Sequence, residues 1–236
     1  PPPPPPPPLF FFPPHPASPD AQESRGLGDV YKRQIHGVTT VVMGNCGVGF
    51  APCKPEDRVK LVELMEGVED IPAPVMHEGL NWQWETFVEY IKALEKNKLD
   101  IDICALLPHA ALRVYEMGER AIKHEVATNE DMQIMRKLAK EAVEAGAFGF
   151  STSRTISHKS LKGEYTPTLR AHEDELTAIA MGLSDAGSGF MEIVSDWNEP
   201  DPETVIAILP LVLYVKGCET FPSILNLSYT LITNVC

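Results

Sequence analysis

Basic residues are scarce in this 236-residue sequence, which has 20 lysines and arginines against 33 aspartates and glutamates. Phosphate-rich surfaces are bound by clustered basic side chains, so the net charge of −13 argues against a nucleic-acid or anionic-membrane partner. No run reaches the roughly 20 apolar residues of a membrane-spanning helix, and no basic segment precedes an apolar core as in a secretory signal. We therefore expect a cytoplasmic protein with neither partner.

Cysteine is also sparse and odd in number, with five residues scattered along the chain. A chain of this length can bury a core without covalent cross-links, so we expect reduced thiols rather than a disulfide framework. The glycine-rich phosphate motifs GxGxxG and GxxxxGKS/T are missing as well, and their absence gives no support to a nucleotide site.

Composition divides the chain into three segments. Residues 1–34 hold 12 of the 22 prolines, and RGLGDVYKRQ (25–34) resembles a translated sequencing-library end, so we interpret this segment as a disordered assembly artefact. The alternative is a polyproline II arm that recruits a partner. Residues 207–236 turn abruptly apolar and are interpreted as a frameshifted tail or as a pair of apolar strands. The interpretable domain spans residues 35–206.

Strands and helices alternate within residues 35–206. Strand-like runs cover VTTVVM (38–43), IDICALL (101–107), AFGFS (147–151) and GFMEIV (189–194). Helices are predicted from Pro55 to Gly67, around 87–94, from a Thr128–Asp131 capping box to Gly146, and over 173–186. This alternation is typical of a parallel sheet with helical crossovers, either a βα barrel or an open doubly wound sheet.

Candidate reactive side chains follow the strands at their C-terminal ends. In a barrel these ends surround one mouth, whereas in an open sheet they meet only at the switch point. We therefore predict an α/β fold with a TIM-like (β/α)8 barrel, truncated at both ends because such a barrel needs about 250 residues. The side chains concerned are Asn45 and Cys46, His109, Ser151 to Arg154, and Glu192, Ser195 and Asp196.

Each candidate has a structural alternative. Cys46, in GNCG, could ligate zinc or act as a nucleophile beside a base, and is otherwise an inert buried cysteine. His109 is a ligand, a general base or a hydrogen-bonded structural histidine. Arg113 and Arg154 could bind a substrate carboxylate bidentately or pair with acidic helices. Ser151 either caps backbone groups or contacts substrate.

The sequence GVTTVVMGNCGVGFAP (37–52) resembles the signature of the D-aminoacylase branch of the amidohydrolase superfamily, the N-acyl-D-amino-acid deacylases. The similarity continues through NWQWETFVEYIKAL, LPHAALRVYEMGERA and EAGAFGFSTSRTISH to about residue 206. It implies a metal-dependent barrel that hydrolyses an amide with a zinc-activated water, and it makes Cys46 a zinc ligand.

The resemblance leaves much of that machinery outside residues 35–206. The HxH ligand pair would precede Ile35, and the later histidines and the catalytic aspartate would mostly follow the fourth strand, so the catalytic residues are unknown. Where the family has a histidine near the end of that strand, FMEIVSDWNE offers Glu192 and Asp196. The substrate-binding candidates are His109, Arg113, Ser151 and Arg154.

Three functional hypotheses follow. The first is a zinc-dependent amidohydrolase that deacylates N-acyl-(D-)amino acids, present here as an inactive fragment. The second keeps the barrel but takes a cyclic amide, as a hydantoinase does. The third is a non-enzymatic scaffold whose proline-rich arm binds a partner. A small-molecule substrate is the expected partner in the first two.

Overall fold

A computed structural model describes residues 34–97, 99 and 101–194, and the backbone of 195 and 230–234. The proline-rich segment, apart from Gln34, and Asp196 lie outside these residues. The described residues divide into two compact units, residues 34–41 with 99, 101 and 102, and residues 42–97 with 103–195 and 230–234. In the first unit the Asp102 N–H donates to the Thr39 carbonyl at 3.0 Å. The second unit contains the main hydrophobic core.

Strands and helices alternate along the chain, as the sequence predicts. The strands are β1 (Thr40–Met43), β2 (Asp102–Pro108), β3 (Gly149–Arg154), β4 (Phe190–Ser195) and β5 (Thr230–Asn234). The helices are α1 (Arg58–Glu69), α2 (Ala73–Gly79), α3 (Phe87–Glu95), α4 (His109–Met117), α5 (Glu119–Ile122), α6 (Asn129–Glu144) and α7 (Glu173–Ala186). Two 3₁₀ turns, Asn45–Gly47 and Pro55–Asp57, precede α1. Among the described residues, no helix combines the length and apolar character needed to cross a bilayer.

The strands follow one another in the sheet in sequence order, β1-β2-β3-β4-β5. β2 pairs with β3 and β3 with β4 in parallel, each through a helical crossover. A doubly wound sheet reverses its strand order at a switch point, and this order has no reversal. The fold is therefore α/β and forms part of a TIM-like (β/α)8 barrel. β5, from the segment interpreted as a tail, pairs antiparallel with β4.

The predicted bounds of the third strand, residues 147–151, are wrong. The Ala147 N–H still bonds to the Ala142 carbonyl at 2.9 Å, so this residue completes the end of α6. The strand begins at Gly149 and runs to Arg154, which places Ser151 inside the strand rather than after it. A Cβ atom at Gly149 would lie 2.0 Å from the Phe190 carbonyl oxygen, so glycine permits the close approach of β4.

Gly67 does not end α1, although the sequence predicts that it does. The helix continues to Glu69, and the left-handed residue Asp70 follows it. A Cβ atom at Gly67 would lie 2.3 Å from the Lys159 carbonyl oxygen in the segment between β3 and α7. The glycine is therefore required because a loop crosses the helix at this point.

The two longest helices, α6 and α7, begin and end where the sequence predicts. Thr128 and Asp131 form the expected capping box at the start of α6. Arg120 also binds Asp131 with both guanidinium arms, and this hydrogen bonding lowers the pKa of Asp131 to about 2. α7 ends at Gly187, whose φ of 77° is the left-handed conformation that glycine favours.

Gly182 sets the distance between α6 and α7, and its replacement by alanine should destabilise the protein. Alanine in a helix interior normally gains about 1 kcal/mol over glycine. Here its Cβ would lie 2.3 Å from the Arg136 carbonyl oxygen, so the helices must separate. Overpacking of this kind costs about 1–3 kcal/mol, which outweighs the propensity gain.

Denaturant titration of Gly182→Ala measures this loss in the free energy of unfolding. Gly79→Ala is the matched control, because no atom lies within 4 Å of a Cβ at that position. An increase in stability for Gly182→Ala would contradict the close helix contact.

Candidate active site

The thiol of Cys46 lies in a tight turn at the C-terminal end of β1. Gly44, Cys46 and Gly47 have φ values of 90°, 62° and 69°, all left-handed, and we call residues 44–47 the Cys46 turn. A Cβ at Gly44 would lie 2.6 Å from the Leu106 carbonyl oxygen, and one at Gly47 would lie 2.7 Å from the Thr152 Cα. The two glycines therefore let the turn contact β2 and β3, while the Cys46 side chain stays half-buried.

One hydroxyl group holds both sides of the Cys46 turn. Ser151 is completely buried on β3, and its Oγ donates a hydrogen bond to the Gly44 carbonyl. The same Oγ accepts a hydrogen bond from the Gly47 N–H at 3.1 Å. These contacts give Ser151 a capping role, which is one of the two alternatives that the sequence allows. Direct contact with substrate stays a prediction.

Burial raises the pKa of two acidic groups in this region. Burial raises the pKa of the Cys46 thiol to about 11, and the negative charges of Glu192 and Glu69 raise it further. Burial also raises the pKa of Glu192 to about 7. A thiol with this pKa is protonated at neutral pH, which disfavours the nucleophile alternative for Cys46. A bound divalent cation has the opposite effect, because coordination deprotonates a thiol.

Glu192 reaches the same face of the sheet as Ser151. Its Cα is the register partner of the Ser151 Cα in the parallel β3–β4 pair, and residues paired in this way point to the same side. Glu192 is only 6% exposed. Within the described part of the chain, no group of three or more histidine, cysteine, aspartate or glutamate residues is arranged to hold a metal.

His109 lies on the opposite face of β3, in a fully buried network. Its Nδ1 is 2.7 Å from the Thr152 hydroxyl, and its Nε2 is 2.8 Å from Glu175 Oε1. Burial lowers the pKa of His109, so the ring is neutral. Since a carboxylate can only accept, Nε2 carries the proton and Nδ1 accepts from Thr152. The contacts give His109 the role of a hydrogen-bonded structural histidine, and its contact with substrate stays a prediction.

Arg113 completes this network, which joins α4 to α7 and to the loop before α7. It is fully buried, and its Nε donates to Glu175 Oε1 at 2.7 Å. Its other nitrogens donate to the carbonyls of Pro167 and Glu125. Burial works to raise the pKa of Glu175, but the hydrogen bond from His109 and the charge of Arg113 lower it overall. All three guanidinium nitrogens of Arg113 donate to protein groups, so the side chain stabilises this network. Its contact with substrate stays a prediction.

The stabilising effect of His109 should disappear in acid. In the folded protein its pKa lies below the ordinary 6.5, so the unfolded chain takes up a proton first as pH falls. The stabilisation is therefore complete above about pH 6.5 and is lost at lower pH, with a slope of up to about 1.4 kcal/mol per pH unit. The difference in unfolding free energy between wild type and His109→Gln should shrink over this range.

Urea titrations between pH 8 and 5 measure that difference. Glutamine keeps an N–H that can reach Glu175 but does not titrate. His77→Gln, at an exposed histidine, is the matched control for the loss of an imidazole ring. A His109→Gln difference that stays constant or grows in acid would show that the ring is charged in the folded protein.

Arg154 differs from the other candidates because its donors are not used. It lies at the C-terminal end of β3, and neither its Nε nor its Nη1 has a hydrogen-bond partner among the described residues, although both atoms are buried. Burial lowers the pKa of Arg154, while Glu173 at the start of α7 partly opposes this effect. Buried nitrogen donors without partners are costly, so Arg154 is available to bind an anionic ligand.

A serine–histidine pair lies beside Arg154. The Ser153 hydroxyl is 2.8 Å from His158 Nδ1, and burial lowers the pKa of His158. Ser153 is 0% exposed, so its oxygen cannot reach a substrate in this structure. The Thr168 hydroxyl donates to the Ser153 carbonyl at 2.6 Å, which ties the same loop to β3. The pair therefore fastens the loop rather than forming a serine nucleophile.

Sequence reasoning missed Glu175, whereas Thr152 was among the candidates that follow the third predicted strand. A signal for Glu175 was present, because it lies four residues before Ile179 and next to Leu176, on the apolar face of α7. A charged residue on a buried helix face requires a partner. The partner itself could not be identified, since His109 is 66 residues away in sequence.

Comparison with known proteins relates this geometry to a family. The sequence pattern of the amidohydrolase family matches residues 23–208. The D-aminoacylase of Alcaligenes xylosoxydans xylosoxydans is 29% identical over 171 residues, which cover 72% of this chain and 31% of that protein. The chain thus spans about a third of the length of this curated relative.

Solved structures agree with the fold. A D-aminoacylase variant in complex with copper chloride superposes with a TM-score of 0.51 at 26% identity, covering 77% of this chain and 33% of that one. The N-acyl-D-glutamate deacylase of Bordetella bronchiseptica, solved with zinc and a phosphonate inhibitor, gives 0.54 at 22% identity, covering 84% and 36%. On the family pattern, which spans well over half of its residues, the chain belongs to the amidohydrolase family.

Proposed function

We propose that the protein carrying this chain is a metal-dependent amidohydrolase that removes the acyl group from N-acyl amino acids, including those of D configuration. The observation that carries the proposal is the Cys46 turn, which holds a thiol at the C-terminal end of a barrel strand within a sequence of the amidohydrolase family. Catalytic groups of such barrels lie at that end.

The residues present fit a metal ion in part. Cys46 would hold the ion through its thiolate, a donor that suits zinc. When bound, zinc supplies a Lewis acid that lowers the pKa of a water and polarises an amide carbonyl. Ser151 fixes the turn and thus the direction of the thiol.

Arg154 would bind the carboxylate of the amino-acid part of the substrate. Its Nε and Nη1 have no partner among the described residues, so these donors are free to bind carboxylate oxygens. Charge-assisted hydrogen bonds of this kind contribute about 1.5–3 kcal/mol, so we expect Arg154→Met to raise KM about 10–100-fold. Steady-state kinetics with an N-acyl amino acid and with the matching N-acyl amine measure the effect. An equal loss on both substrates would show that Arg154 does not bind the carboxylate.

Metal analysis and a substrate panel test the proposed function. The full-length protein should contain zinc as purified, lose activity on chelation, and release free amino acids from N-acyl-D-amino acids. Hydantoins serve as the comparison, because their cyclic amides have no free carboxylate. Hydrolysis of hydantoins alone, or activity that persists after complete metal removal, would overturn the proposal.

A further inference from the structure

We propose that Glu192 is a second protein ligand, beside Cys46, of the metal ion. The inference rests on the proposed function in one respect, since it takes the ion at Cys46 as given. It adds a specific oxygen donor to the single sulfur donor. The two residues are 146 positions apart in sequence, and the sheet alone brings them to one place.

Ser151 is the structural link between the two groups. Glu192 and Ser151 are register partners on adjacent parallel strands and point to the same side. The Ser151 hydroxyl in turn binds Gly44 and Gly47, which flank Cys46. A carboxyl on β4 and a thiol after β1 therefore lie on either side of one buried serine.

The carboxyl group of Glu192 has no protein partner in the described part of the chain. The residue is 94% buried, yet no hydrogen bond or ion pair joins its side chain to another described residue. A buried carboxylate without a partner costs several kcal/mol. Other buried acids of this protein are paired, as Glu175 is with Arg113. A cation beside Glu192 would remove this penalty.

The donor types of the two side chains also suit a cation. Glu192 is buried, whereas Glu69 at the end of α1 is exposed to solvent. A thiolate and a carboxylate at one place repel each other without a cation and together make a suitable ligand pair for zinc.

Metal titration of the full-length protein tests the assignment. The protein is stripped with a chelator and titrated with zinc and with cobalt(II), whose thiolate charge-transfer absorption reports a bond to Cys46. Glu192→Gln should bind either metal more than about 100-fold more weakly, which exceeds the effect of losing an outer hydrogen bond to a ligand. Cys46→Ala should lose the absorption altogether. Glu69→Gln removes a nearby exposed charge and should leave affinity and spectrum unchanged.

Two further measurements make the outcome decisive. Circular dichroism melts of the stripped proteins check folding, and if the glutamine variant fails to fold, Glu192→Asp replaces it and should bind more weakly than wild type. Wild-type affinity and spectrum in the folded Glu192 variant would overturn the ligand assignment, even if its pH–rate profile changed. If both residues bind metal but no N-acyl amino acid is hydrolysed, the proposed function fails and the assignment stands. A wild-type protein that binds no metal overturns both.

Discussion

Replacement of Cys46 by alanine in the full-length protein should remove the bound metal and lower kcat/KM for deacylation about 1000-fold. Lewis-acid stabilisation by a metal ion is worth several kcal/mol, and each 1.36 kcal/mol corresponds to a factor of ten. The substitution isolates the thiol, because cysteine and alanine bear similar costs in the left-handed conformation that residue 46 adopts.

Cys53→Ala is the matched control for this experiment. Cys53 is also a reduced thiol and is fully buried, but its Sγ bonds only to the Lys54 carbonyl at 3.4 Å among the described residues. Its loss should lower stability slightly and leave metal content unchanged. Metal content and steady-state rates distinguish the two variants, and a Cys46→Ala protein with full metal occupancy and activity would refute the role of this thiol.

Glu175→Gln should destabilise the protein by about 3–5 kcal/mol, the largest loss expected from any single polar substitution in the described part of the chain. The change is nearly isosteric, but it leaves the guanidinium of Arg113 buried without a counter-charge. Removing one partner of a buried ion pair costs this amount because the remaining charge stays desolvated. The His109 N–H also loses a charged acceptor.

The exposed pair of Arg136 and Asp185 provides the comparison. Its geometry is equally good, with 2.7 Å between Arg136 Nε and Asp185 Oδ2, but both side chains are about a third exposed. Asp185→Asn should therefore cost at most about 1 kcal/mol. Equilibrium unfolding in urea measures both variants, and similar losses for the two would show that burial of the Glu175 network adds nothing.

Local signals in the sequence predicted much of the fold. The Thr128–Asp131 capping box and Gly187 define the ends of α6 and α7, because each depends on groups within one helical turn. α4 was missed since it starts at His109, directly after a strand and without a capping side chain. Gly67 misled the prediction for α1 because its role depends on a loop 92 positions later.

The sequence predicted which residues lie near the candidate site but not the directions of their side chains. The position of Cys46 after a strand placed the thiol at the correct end of the sheet, and Glu192 and Arg154 were likewise located near strand ends. The direction of each side chain depends on strand register, and the third strand was predicted too early. The division of β3 into a Ser151 face toward Cys46 and a Thr152 face toward His109 therefore emerged only from the structure.

The Ser151 contacts have a consequence for the order in which the protein assembles. The Gly44 carbonyl and the Gly47 N–H are hydrogen-bonded to Ser151, which lies on a strand more than 100 residues later. The thiol therefore cannot take its final direction when β1 alone has formed. In a nascent chain, β3 must first be synthesised and paired in the sheet. Metal capture at Cys46 would thus be a late event, and a growing chain with its unfinished half-barrel would be protected from binding the ion prematurely.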